Sequence, residues 1–309
     1  MIIIPLDYEI NKNTLYEISN TNNDNYKSIA SIIIQYREAH PERKINLFFM
    51  LKWIDKYFKN LFEIIIIEQD NNSKLQLPIE YNYMKHIFLF NNGKFNREWG
   101  YNCAVKHYIN TEILALIDND IILNKSFFDS IIEVYQNKFD IISPYTYIYS
   151  TNHDEKIQIL NENYNIQIPS NFKRSPYTIS GGIMIIKKQV YLDLGGYEEY
   201  KSYGCEDRAM DCNILHFKKN QYKMINDTYI HLYHDTSSRD SRIKKVKEHM
   251  IQYYRCTKQN NSTNFHAKCK HRFKTLHILN EHRKNYIGNL DLYKNPNNFI
   301  NSIPPYNIK

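Results

Sequence analysis

Three short stretches of this 309-residue chain hold side chains suited to chemistry, and their spacing limits what that chemistry is. Asp118-Asn119-Asp120 follows an apolar run ending at Ile117. Two carboxylates at the end of a buried strand are costly unless solvated or coordinated. Residues i and i+2 of an extended chain point the same way. Asp118 and Asp120 would therefore converge on one divalent cation, or one would take the cation and the other a ligand hydroxyl. Magnesium and manganese favour such oxygen ligands and keep positions open for phosphate. The same triplet also recurs in ordinary loops. His231-Leu232-Tyr233-His234 closes the last expected strand. His234 could complete the metal site, since manganese accepts imidazole beside carboxylate. Both histidines can ligate only if the chain turns there; otherwise they are ordinary core or surface histidines.

Glu206-Asp207 opens an expected helix. The helix dipole favours a carboxylate there, and simple capping is one reading. The other is a general base that takes a proton from a hydroxyl, beside a cleft built from Gly181-Gly182 and Tyr203-Gly204. Five of the chain's eight glycines fall between 181 and 204. Capping alone does not require them, which favours the base.

The elements that must position these groups follow from the apolar pattern. Strands are expected at 29–35, 62–68, 86–90, 112–117 and 229–233, with extended chain at 140–149 and 177–186. Helices are expected at 43–59, 95–110, 127–136 and 206–218, a helical turn at 189–194, and further helices at 241–254 and 273–284. Residues 1–25 read as a short apolar strand followed by an Asn-rich loop. Strands alternating with helices in the first half indicate an α/β fold with a mostly parallel sheet, where ligands sit beyond the carboxyl ends of the strands. Arg37, Asp70 and Asp118/Asp120 fall at such ends.

Composition narrows the classes further. Hydrophobic residues make up 42% and charged residues 24%, enough to build a core. No apolar run approaches the length of a membrane helix. Met1–Leu6 has no basic flank or small-residue cleavage site, so neither signal peptide nor anchor is expected. Five scattered cysteines (Cys103, Cys205, Cys212, Cys256, Cys269) make no disulfide framework, which points to a reducing, cytoplasmic setting. Cys256, Cys269, His266 and His271 match no structural zinc spacing. The excess of Ile, Asn, Lys and Tyr suggests an AT-rich genome, such as that of a large DNA virus. The net charge of +7 is uneven: residues 236–309 carry 15 Lys and Arg against 4 Asp and Glu. Such a basic tail is either a solvated helical face or a surface for an anionic partner such as phosphate, membrane or nucleic acid.

Eight motifs occur in one order: Ile34-Gln35-Tyr36-Arg37, Ile67-Glu68-Gln69-Asp70, Phe95-Asn96-Arg97-Glu98-Trp99-Gly100-Tyr101-Asn102, Ile117-Asp118-Asn119-Asp120, Ser180-Gly181-Gly182, Gly195-Gly196-Tyr197, Tyr203-Gly204-Cys205-Glu206-Asp207 and His231-Leu232-Tyr233-His234. Over about residues 28–236 this resembles nucleotide-sugar glycosyltransferases of the GT-A fold. The similarity is to the inverting β-1,4-galactosyltransferase group and related domains of bacterial chondroitin-type polymerases. The division implied is an N-terminal extension (1–27), a GT-A domain (28–236) with a mixed, mostly parallel sheet, and a basic, mainly helical C-terminal extension (237–309).

The resemblance implies a UDP-sugar donor, Mn2+ or Mg2+, and a hydroxyl of a glycan or glycoprotein as acceptor. It implies that Arg37, Asp70, Arg97, Asn102, Asp118, Asn119, Gly181 and Gly182 serve the nucleotide-sugar. Asp120, His234 and His231 would hold the metal. Asp207 would be the catalytic base, with Glu206 holding sugar hydroxyls and Tyr203 and Gly204 meeting the acceptor. The family's usual W-G-G-E-D is Tyr203-Gly204-Cys205-Glu206-Asp207 here, which bears on acceptor identity. Rival readings are a retaining transferase on the same fold, a sugar-nucleotide hydrolase or nucleotidyltransferase, and a non-catalytic protein binding through its basic tail.

Overall fold

The computed structural model describes residues 2–3, 8–161, 167–169, 172, 178–199, 206–218, 221–235 and 287–294. In chain order the elements are β1 (Ile2–Ile3), α1 (Asn13–Ile18), β2 (Ala30–Tyr36), α2 (Pro41–Phe58), β3 (Glu63–Asp70), β4 (Lys85–Phe90), α3 (Arg97–His107), β5 (Ile113–Ile117), β6 (Ile121–Ile122) and α4 (Lys125–Tyr135). They continue as β7 (Ile141–Ser143), β8 (Tyr147–Ser150), α5 (His153–Leu160), β9 (Gln167–Ile168), β10 (Ile183–Lys187), α6 (Lys188–Asp193), α7 (Glu206–Phe217), β11 (Tyr222–Met224) and β12 (Thr228–His231).

Seven strands form one sheet in the order β11-β7-β10-β5-β2-β3-β4. The β5-β2-β3-β4 pairings and β11-β7 are parallel, while β10 runs antiparallel to both β5 and β7. The central strands are apolar at nearly every position because helices cover both faces. Alternate residues supply the two cores. Ile32, Ile34, Ile64, Ile66, Ala115 and Ile117 face a core that α2 and α4 complete with Leu47, Met50, Ile54, Phe127 and Ile131. Ile33, Ile65, Ile67, Leu114 and Leu116 face the other, completed by Trp99, Val105, Tyr191, Met210 and Ile214 of α3, α6 and α7.

A small second sheet, β6-β12-β8, stands beside the end of β5. It pairs His231 with Ile121 on one side and with Ser150 on the other. The extended stretch expected at 140–149 is therefore two strands in two sheets, broken at Pro144. Helix α5 was not evident from periodicity. It is nucleated by a capping box in which Asn152 and Glu155 exchange side chain-to-backbone hydrogen bonds. Helix α1 lies in the stretch expected to be loop; its one fully buried side chain, Leu15, joins the main core. Tyr8 stacks on Tyr57 of α2 at 4.3 Å between ring centroids.

Residues 287–294 form turns against α3. Trp99 Nε1 donates to the Asn289 carbonyl at 2.8 Å, Lys106 Nζ to that of Ile287 at 2.9 Å, and the Tyr293 ring meets Trp99 edge-on. This part of the basic extension buttresses the body. The helices expected at 241–254 and 273–284 lie outside the described residues. Among the described residues no helix is long and apolar enough to cross a membrane.

Candidate active site

The carboxyl ends of β2, β3 and β5 lie side by side, with Ile34 paired to Ile117 and Tyr36 to Glu68. The chain leaving β5 is pinned on two sides. Asp118 N donates to the Gly182 carbonyl at 2.8 Å, and Leu232 N donates to the Asp120 carbonyl at 2.7 Å. Gly182 has φ of 70°, a conformation glycine adopts without steric cost. The Asp118–Asp120 and His231–His234 stretches thus meet at the carboxyl end of the central strand β5.

Asp118 and Asp120 do not converge. The chain turns at 119–120, so the alternation of an extended strand no longer applies. Asp118 Oδ1 accepts from Arg97 at 2.9 Å. Asp120 points into a separate cluster with His231 and His234, whose ligand atoms all lie within 4.8 Å of one another. His231 Nε2 is 3.4 Å from Asp120 Oδ1, and His234 Nε2 is 3.5 Å from Oδ2. Residues 232–235 leave the strand, and that turn lets both imidazoles reach the same carboxylate. Arg43, in the first turn of α2, pairs with Asp120 Oδ2 at 2.5 Å.

This donor set suits a divalent cation. Asp120 is 2% exposed and its Oδ1 accepts no hydrogen bond, an expensive state for a buried carboxylate oxygen. Burial works to raise the Asp120 pKa, but His231 and the Arg43 guanidinium outweigh it and hold the group well below the usual carboxylate range. Burial lowers the His234 pKa to about 4, so its ring is neutral at pH 7, as a metal ligand must be.

Arg97 organises the neighbouring cluster. It opens α3, and its guanidinium reaches Asp118 through one nitrogen and Asp207 through another, with Glu206 at 3.8 Å and Glu98 at 3.3 Å. Tyr101 and Tyr197 lie under the cation, 5.9 and 5.8 Å from ring centroid to Cζ. Asp207 retains 24% of its side-chain surface, whereas Glu206 retains 3%. Burial raises the Asp207 pKa to about 7; Arg97 opposes the rise, and Glu206 and Asp118 add to it. Burial and Glu206 likewise push Glu98 well above its ordinary range. One guanidinium cannot neutralise four carboxyls, so protons remain in the cluster near neutrality.

Two sets of contacts fix Arg97 and Asp207. Beneath α3, Gln69 Nε2 donates to Gln35 Oε1 and to the Asn96 carbonyl, both at 2.9 Å. Asn96 Oδ1 in turn caps α3 at Trp99 N. Gly100 packs onto these amides: a Cβ there would lie 2.1 Å from Gln35 Oε1. On the other side, Ser180 Oγ donates to the Asp207 carbonyl at 2.8 Å and to Asp211 Oδ1 at 2.7 Å, tying α7 to the turn before β10.

Other residues assigned from the resemblance have different company. Arg37 spends its guanidinium on three carbonyls, those of Gln69, Asn91 and Gly93, and so clamps the end of β3 to the loop that follows β4. Asp70 accepts from Lys74 Nζ at 2.8 Å. Asn102 is fully buried and binds Tyr191, Tyr197 and Glu199, and so holds the residue whose ring lies under Arg97. Asn119 Oδ1 lies 3.5 Å from Arg43. The Gly181 carbonyl accepts from Tyr145 Oη at 2.6 Å. Tyr203, Gly204 and Cys205 lie outside the described residues. Sequence reading missed Arg43 and Asp211, and quoted Ser180 in a motif without giving it a role. A cation in the first turn of α2 opposes the helix dipole, and that was the available signal for Arg43.

No protein-family model and no curated protein matches this chain. Solved structures do. A structure of TarS 1-349 from S. aureus in complex with UDP-GlcNAc aligns with 88% of this chain and 79% of its own, at TM-score 0.52 and 14% identity. GalNAc-T7 with UDP, GalNAc and Mn2+ aligns with 81% of this chain and 55% of its own, at TM-score 0.49 and 11% identity. Glucosyl-3-phosphoglycerate synthase from Mycobacterium tuberculosis, in complex with Mn2+, UDP-Glc and phosphoglyceric acid, covers 80% and 84% at TM-score 0.46 and 11% identity. The fold is GT-A: a mixed, mostly parallel seven-stranded sheet flanked by helices.

Proposed function

We propose that this chain is a metal-dependent glycosyltransferase that moves a sugar from a UDP-sugar to a hydroxyl of a glycan or glycoprotein, with inversion. The observation that carries this reading is the Asp118–Arg97–Asp207 bridge beside the Asp120–His231–His234 cluster, at the carboxyl ends of a GT-A sheet. The GT-A fold it shares with TarS 1-349, a structure in complex with UDP-GlcNAc, supports the donor class. The motif order supports the β-1,4-galactosyltransferase group as the nearer relation, with a hexose or N-acetylhexosamine transferred.

In this reading Asp207 is the base. Its pKa near 7 and its partial exposure suit a group that takes a proton from an entering hydroxyl. The acceptor oxygen forms a bond to the anomeric carbon as that carbon's bond to the diphosphate oxygen breaks. The acceptor proton passes to Asp207, and the bonding pair leaves with the diphosphate. Asp120, His231 and His234 would hold a divalent cation, which supplies positive charge toward the leaving diphosphate. Glu206, buried beside Asp207, would accept from donor or acceptor hydroxyls, and Asp118 from the ribose.

A donor screen tests this. Purified protein is incubated with nucleotide sugars and Mn2+, and released nucleoside diphosphate is measured, with a chelator and Asp120→Ala as controls. Metal-dependent release from a UDP-sugar, lost in the variant, is expected. No release, together with no calorimetric UDP binding in Mn2+, would overturn the reading. Proton NMR of the product tests inversion: an α-linked donor should give a β-linked product.

A further inference from the structure

The metal cluster has a feature that cation binding alone does not require. Asp120 Oδ2, a candidate ligand atom, is already paired with a full positive charge, that of the Arg43 guanidinium at 2.5 Å. Arg43 is 24% exposed while Asp120 is 2% exposed, so the cation reaches the carboxylate from the solvent side. A second cation stands behind. Lys156 is 3% exposed, with Nζ 3.8 Å from Glu42 Oε2, and it feels the charges of both Asp120 and Arg43. Glu42 Oε2 also accepts from the backbone N–H of Asp235, next to His234.

Two carboxylates, Asp120 and Glu42, thus face two basic groups, Arg43 and Lys156, the second held below its ordinary pKa by burial. This group is neutral before any metal enters. A divalent cation would leave it with two excess positive charges in a poorly solvated place, which is unfavourable unless an anion of matching charge comes too. A diphosphate is such an anion.

We propose that Arg43 is the resident counter-cation of the metal site: it holds Asp120 in the metal-free protein, disfavours metal alone, and on joint entry of metal and nucleoside diphosphate turns to the diphosphate. Arg43 is a positioning residue in this scheme, and its planar fork suits phosphate oxygens as it suits a carboxylate. Metal and nucleotide binding are then coupled through one side chain, and the coupling is reciprocal. The inference rests on the metal-dependent reading above, but its test separates the two.

The experiment is calorimetry of Mn2+ on the full chain, alone and with saturating UDP, for the unmodified protein, Arg43→Gln, Arg43→Ala and Arg43→Lys. The unmodified protein should bind Mn2+ weakly, with UDP tightening it at least tenfold. Arg43→Gln and Arg43→Ala should bind Mn2+ alone at least tenfold tighter and lose most of the UDP-dependent gain. Arg43→Lys keeps the charge, so it should still bind Mn2+ alone weakly, with a smaller UDP-dependent gain because it lacks the planar fork. A gain in affinity is not something misfolding produces. Equal or weaker Mn2+ binding in both neutral variants would overturn the role of Arg43 and leave the metal site standing. No Mn2+ binding by any of the four, with or without UDP, would overturn both.

Discussion

At Arg97 a single buried guanidinium sets the charge state of the proposed chemistry, because Asp118 and Asp207 share it. Its field opposes the burial that raises Asp207 to a pKa of about 7. Asp207 works as a base only when deprotonated, so kcat/KM should rise with pH through about 7 and fall below it. A pH-rate profile of diphosphate release checks this, and a limb near the ordinary carboxylate value would refute it. Asp207→Asn should lower kcat by about 10²–10⁴-fold, with Mn2+ and UDP affinity retained by calorimetry. Arg97→Met removes the opposing charge. Asp207 then titrates higher, and the acid limb of the profile should move to higher pH. An unmoved limb would mean that Arg97 does not control the base.

Among the elements, the N-terminus of α3 is the one whose placement is most exacting. It rests on the Gln35, Gln69 and Asn96 amides, and Gly100 leaves room for them. Gly100→Ala should therefore destabilise the fold by about 1–3 kcal/mol through overpacking, read as a lower Tm. Because α3 also carries Arg97, kcat should fall as well. Helix α7 is held more lightly, by Ser180 and Asp211. Asp211→Asn keeps the shape but weakens charge-assisted acceptance from Ser180 Oγ and from the backbone N–H groups of residues 179 and 180. The expected result is a loss of kcat with little change in Tm. Unchanged kcat would show that the tether does not position Asp207.

For the whole molecule, the docked segment 287–294 belongs to the fold. Tyr293 is 8% exposed and meets Trp99, two residues from Arg97. Tyr293→Ala should cost about 3 kcal/mol, in the range for large aromatic truncations, and removing residues 287–309 should cost at least as much. Thermal melts check both. A truncated protein that melts like the full chain would confine the segment to a peripheral role.

Much of this architecture was legible in the sequence. Apolar runs such as Ile64–Ile67 and Leu114–Ile117 have the length and composition of strands buried on both faces, and helices then cover them. Ile117-Asp118-Asn119-Asp120 likewise reads as a strand ending in carboxylates, since ionised groups are costly in a core unless paired. Local pattern does not encode which way a side chain points once the strand has ended. Asp118 and Asp120, equivalent on paper, separate because two hydrogen bonds from distant segments, at Gly182 and Leu232, turn the chain between them. The partners of Arg37 and Asn102, up to 97 residues away, are likewise set by the fold and by no local pattern. Arg43 and Arg97 gain their roles only from the carboxylates that the sheet brings to them. Residue types and strand ends are properties of the chain, but charge pairing depends on distances of a few ångströms, and those exist only once the chain is folded.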